Sequence, residues 1–125
     1  MNKLHRKQVE LLWKHEKYKV MYYSQRQYLY IRTRLNEGLD DLAELKQILT
    51  TTYSMKPTQG SMRNSFEHMW GYFKKQATPE EKENFFSLCT EVLINDKEIK
   101  RFLYHLAQKY DVTYLKESTI LLDEM

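Results

Sequence analysis

Helix breakers are scarce in this chain, and most fall between apolar stretches of helical spacing, so a bundle of helices is the fold to expect. Gly38 follows Asn36-Glu37 as a helix end would, because glycine readily takes the left-handed position after a last turn. Pro57-Thr58-Gln59-Gly60 reads as a turn. Proline fixes its own φ and biases the residue before it away from helix, and Gly60 is free to take conformations closed to other residues. Thr78-Pro79-Glu80-Glu81 reads as a helix start, with threonine as cap, proline at the first helical position and Glu81 completing a capping box.

The stretches between these marks each carry one apolar face. From about Asn2 to Tyr23, Leu4, Leu11, His15, Tyr18 and Tyr22 form a stripe that Val9, Leu12, Trp13, Val20 and Met21 widen. Ser24-Gln25 either caps a second helix to about Asn36, buried along Tyr28, Ile31 and Leu35, or lies inside one continuous helix. Leu39, Leu42, Leu45, Ile48, Leu49 and Tyr53 predict another helix, with Asp40, Asp41 and Glu44 near its positive end. A central helix from about Ser61 presents Met62, Phe66, Met69, Trp70 and Phe73 and closes on Lys74-Lys75, where the helix dipole favours cations. Phe85, Leu88, Cys89 and Val92 line the next. Asn95-Asp96 opens a further one through Ile99, Phe102, Leu103, Leu106 and Tyr110, and Thr113 to Leu122 is a short last helix or an extended tail. No strand pair or hairpin signal appears. The expected fold is all-α, with residues 1–125 forming a single-domain bundle of six or seven helices with short connections.

Several classes of function find no support. No run is apolar enough to cross a membrane, and the basic start lacks the apolar core of a signal peptide, so a cytoplasmic protein is expected. The single Cys89 excludes an internal disulfide and a multi-thiolate metal site. Set among Phe85, Phe86, Leu88 and Val92, its thiol reads as inert packing. His5, His15, His68 and His105 fall on different predicted elements, and neither HExxH nor paired CxxC occurs, so no metal is expected. No phosphate-cradling loop, dinucleotide fingerprint or GxSxG elbow implies a cofactor or a nucleophile.

Charge is uneven. Residues 1–34 hold nine Lys/Arg against Glu10 and Glu16, a balance of +7, whereas residues 80–125 hold six against ten acids, a balance of −4. The basic third either faces phosphate or an acidic partner, or it is a solvated face that pairs in part with the acidic third. Within it, Lys17-Tyr18-Lys19, Tyr22-Tyr23, Arg26, Tyr28, Tyr30, Arg32 and Arg34 interleave cations with rings. Single-stranded nucleic acid is held by that combination, although Tyr18, Tyr22 and Tyr28 also suit a core with polar tips at the surface.

Pro57-Thr58-Gln59-Gly60, Asn64, Glu67-His68 and Gly71-Tyr72-Phe73-Lys74-Lys75 together resemble the signature of the YbgA-like family, a bacterial domain family of uncharacterised function. The resemblance runs from about Trp13 to Leu121. Glu16-Lys17-Tyr18 and Met21-Tyr22-Tyr23-Ser24-Gln25 occupy an HKY-x-x-MAHSQ-like run, with both of its histidines replaced. Met62 also stands where many relatives carry histidine, and these losses weaken any family-wide metal centre or histidine chemistry. Relatives are often fused to a desulfidase-type domain acting on thiolated pyrimidines, so the resemblance implies a setting in modified-nucleotide or RNA metabolism.

Two classes of function follow. In the first, the chain is a binding or accessory module for RNA, a nucleotide or a desulfidase-type enzyme, using Thr58, Gly60, Ser61, Arg63, Asn64, Lys74 and Lys75 with Lys17 and Arg26. Free N–H groups at a helix start suit an anion there. In the second, it is a small enzyme with an inter-helix pocket using His68 and Tyr72, with Asn64 and Glu16 as further polar groups. An oligomeric scaffold is a third reading, recognisable by an exposed apolar face.

Overall fold

At Ser24 the backbone swings out to φ −164° and ψ 114°, and the serine hydroxyl accepts from the Gln27 N–H, so the first apolar stretch is two helices. The computed structural model describes residues 3–124, and its regular elements are all helical. They are α1 (Lys3–Tyr23), α2 (Gln25–Asn36), α3 (Leu42–Tyr53), α4 (Gln59–Trp70), α5 (Pro79–Cys89), α6 (Val92–Lys109) and the single-turn α7 (Thr113–Lys116) and α8 (Thr119–Leu122). The expectation placed on Asn2 lies outside the described residues. Among the described residues, no helix is long and apolar enough to cross a membrane.

α1 is the axis of the bundle. α2, α3, α4 and α8 pack on it, and α6 gathers α4, α5, α7 and α8 at the other end. Two cores result. The larger joins Tyr18, Met21 and Tyr22 of α1 to Phe66, Met69, Phe73, Phe85, Ile99, Leu103 and Leu121; the smaller joins Val9 and Val20 to Ile31, Leu39, Leu45 and Leu49. Tyr28 packs against both. Trp70 and Phe85 stack at 4.6 Å and 7°, and each buried ring of this kind contributes about 1.5–3 kcal/mol relative to exposure.

Five expectations change. Leu4 and Leu11 are 64% and 56% exposed, because the start of α1 buries Val9 against α2 and α3 while the larger core begins only at Tyr18. α4 starts at Gln59 and ends at Trp70, leaving Lys74 and Lys75 exposed in the turns of residues 71–76. Phe73 stays buried there because a turn after α4 returns it to the core. Gly60 lies in the first turn of α4 without a positive φ; Gly38, at φ 100°, is the glycine whose conformation other residues rarely adopt. α6 opens at Val92, so Asn95 and Asp96 are internal: Asn95 donates to the Leu88 carbonyl, and Asp96 accepts from Tyr22 and Lys100. The last segment is two separate single turns, α7 and α8; the other six helices form the all-α bundle that the sequence predicts.

Candidate functional site

The best-defined cleft forms where the α1–α2 corner meets the start of α4. Thr58 caps α4 by accepting from the Ser61 N–H, and the Ser61 hydroxyl accepts from the Thr58 N–H in return. Among the described residues, this reciprocal cap leaves the N–H groups of Gln59 and Gly60, in the first turn of α4, without an acceptor. A Cβ built on Gly60 would meet nothing closer than the Thr58 hydroxyl at 3.8 Å. Neither backbone angle nor packing therefore demands glycine, and the bare first turn borders open space.

That space is a cleft of about 570 Å³ lined by Tyr23, Ser24, Gln25, Met55, Lys56, Thr58, Gly60, Ser61 and Asn64. Asn64 Nδ2 donates to Gln25 Oε1 at 2.7 Å and so ties its two walls together. Ser24 and Met55 are shared with a neighbouring depression of about 360 Å³ that adds Arg26, Gln27 and Tyr30. Gln27 and Tyr30 in turn belong to a third, of about 440 Å³, reaching Glu44, Ile48 and Thr51 on α3. Shared lining residues place the three side by side, from the start of α4 along the α2–α3 seam. Tyr30 is 48% exposed there, and Arg26 and Lys56 are exposed with no carboxylate partner among the described residues. Glu44, the acid at the far end, is already matched by Arg34 at 2.6 Å.

Of the residues singled out from sequence, Thr58, Gly60, Ser61 and Asn64 share the first cleft, and Arg26 lies in its continuation. Arg63 is elsewhere: its guanidinium donates to the Cys89 carbonyl at 3.1 Å and satisfies the end of α5. Lys74 and Lys75 line none of these clefts. Lys17 stands over the Tyr18 ring at 5.6 Å, and burial first, then the charge of Arg32, lowers its ammonium pKa. His68 is exposed and has no hydrogen-bond partner among the described residues. Tyr72 shares a 2.9 Å hydrogen bond with Tyr18 Oη. Neither His68 nor Tyr72 lines the three clefts above, and Glu16 accepts from the Tyr53 hydroxyl.

The tyrosines divide. Tyr18 and Tyr22 are core residues with bonded polar tips, on Tyr72 and Asp96, and burial first raises both phenol pKa values. Tyr28 is half-buried and Tyr30 exposed. The pairing of the basic third with the acidic third reaches Lys19 with Asp123, at 2.9 Å. Burial pushes the Cys89 thiol up to about 11, with Glu67 adding to the shift. Among the described residues, no three His, Cys, Asp or Glu side chains gather as metal ligands would.

Sequence reasoning missed Tyr23, Ser24, Gln25, Met55 and Lys56 as lining residues. Ser24-Gln25 did carry a signal, since both match the family run, but nothing in sequence connects Gln25 to Asn64, 39 residues on. Comparison with curated proteins and with solved structures finds no match. Residues 17–123 match the model of a family described as "Protein of unknown function (DUF1722)". The match spans Lys17, the Ser24–Gln25 corner and all of α4, and the chain belongs to that family.

Proposed function

We propose that this chain is a binding module for single-stranded RNA, held in the groove that runs from the start of α4 to Tyr30. The observation that carries the reading is the groove's composition: an exposed ring at Tyr30, unpaired cations at Arg26 and Lys56, and amide and hydroxyl groups at Gln25, Asn64 and Thr58. Cations suit phosphates and a ring suits a base, and each stacked base contributes about 1–3 kcal/mol without demanding a particular sequence. The open side of Gly60 lets a backbone approach closely. The resemblance to YbgA-like relatives, with their desulfidase-type neighbours, supports a setting in thiolated-pyrimidine or RNA metabolism. On this reading residues 1–125 act as one accessory domain beside an enzyme.

The test is fluorescence anisotropy with labelled single-stranded RNA against the native chain, Tyr30→Ala and Arg26→Ala. Saturable binding that weakens with salt, and weakens about fivefold or more in Tyr30→Ala, supports the module. Equal affinity in all three chains overturns it and turns the search to a protein partner such as a desulfidase-type enzyme.

A further inference from the structure

We propose a second binding site, for a phosphate-type oxyanion, formed by Lys14 and Lys17 of α1 beside the phenols of Tyr18, Tyr72 and Tyr114. The site goes beyond the groove reading and does not rest on it.

The cations come first. Lys14 and Lys17 are three apart on α1 and so share a face. Lys14 Nζ lies 5.6 Å from the Tyr114 ring centre, and Lys17 Nζ lies 5.6 Å from that of Tyr18. The two rings are themselves 5.9 Å apart. Neither lysine has a carboxylate partner among the described residues, whereas Arg6, Lys19, Arg34, Lys100, Lys109 and Lys116 each have one. Like charges held together without a counter-charge raise the free energy of the folded chain, and a bound anion removes that cost.

The phenols supply donors. Tyr72 packs against Tyr114 at 6.0 Å and meets Tyr18 edge-on at 6.2 Å, and it is 38% exposed. The bond between the Tyr18 and Tyr72 hydroxyls uses one phenolic proton of two. Whichever hydroxyl accepts in that bond keeps its own O–H for a further acceptor. Two ammonium groups and a free phenolic O–H match the acceptor oxygens of a phosphate group. Carboxylates bind such a set less completely, having fewer oxygens.

The phosphate belongs either to a free nucleotide or to a polynucleotide backbone, and one experiment separates the two. Pyrophosphate, uridine monophosphate and a uridine octamer are titrated into the full chain and into a Lys14→Gln/Lys17→Gln variant. The ring resonances of Tyr72 and Tyr114 are followed by NMR, and the thermal midpoint is read in parallel. The expected result is a saturable shift of those resonances in the native chain and a loss of affinity of about tenfold or more in the variant. Pyrophosphate or the monophosphate binding as tightly as the octamer marks a free phosphate as the source; the octamer alone marks the backbone. The thermal midpoint without anion should stay or rise in the variant, since repulsion is removed. No saturable shift with any ligand, or equal affinity in the variant, overturns the site. The groove is read separately through Tyr23 and Tyr30, so either site can fail without the other.

Discussion

Gln25 and Asn64 join the α1–α2 corner to the start of α4 through one 2.7 Å hydrogen bond between their amides. Both are polar side chains at the edge of the cleft, and each amide has further donors and acceptors beyond that bond. The pair therefore holds the walls together and still has capacity for a ligand.

A double-mutant cycle on Gln25→Ala and Asn64→Ala should give a coupling of about 0.5–1 kcal/mol in chemical denaturation, as for a neutral bond open to solvent. RNA affinity should fall in each single variant by more than stability does. Coupling near zero, with affinity unchanged, contradicts a role for the pair.

Glu81 makes acid stability measurable. Burial of its carboxylate works to raise the pKa, but hydrogen bonds from Lys109, Tyr110 and the Thr78 N–H outweigh it and hold the group down to about 2. A carboxylate depressed in the folded state contributes stability above its unfolded pKa of about 4.5, and the contribution fades as pH falls toward about 2. Glu81→Gln should therefore lie below the native chain at pH 6 and converge on it between pH values of about 4.5 and 2. A gap that stays constant with pH would count against the network as the cause.

Cys89 should resist labelling. With its thiol pushed up to about 11 and its side chain buried, almost none is thiolate at neutral pH. Alkylation should proceed only as the chain unfolds, with a rate that rises with denaturant. Rapid labelling of the folded protein at pH 7 contradicts the packing around α5.

Arg6 holds the free-running start of α1 in place. Its Nη1 donates to the carbonyls of Leu35 and Leu39, both at 2.9 Å, and its Nε pairs with Glu10 at 2.8 Å. Arg6→Ala should cost about 1–3 kcal/mol in denaturation, because the Leu35 carbonyl in the last turn of α2 and the Leu39 carbonyl beyond it lose a charged donor. A loss below about 0.3 kcal/mol places that turn in water.

Local chemistry made most of the fold legible. Thr78-Pro79-Glu81 forms the capping box that its spacing predicts, and Gly38 takes the positive φ that follows α2. Ser24 caps a separate α2 as one of the two alternatives held. Expectations failed where tertiary bonds compete with local ones. Asn95 and Asp96 look like a helix start, but α6 runs through them because Leu88, Tyr22 and Lys100 take up their side chains. Leu4 and Leu11 have the right spacing for burial, yet they are 64% and 56% exposed because α1 turns Val9 toward α2 and α3. The same division runs through the site. Thr58, Gly60, Ser61 and Asn64 were visible as one turn and helix start, whereas the opposite wall, Tyr23 to Gln25, is adjacent only in space. Arg63, read from sequence as an anion ligand, donates to the Cys89 carbonyl, a contact 26 residues on that sequence does not show.

The most direct measurement is the salt dependence of single-stranded RNA binding by the native chain and by an Arg26→Ala/Lys56→Ala variant. For the native chain the groove predicts affinity that falls linearly on a log–log plot against salt. The slope should drop by about 0.7 for each phosphate-contacting cation removed. Binding absent at low salt, or a slope unchanged by the double substitution, contradicts the groove as an RNA site.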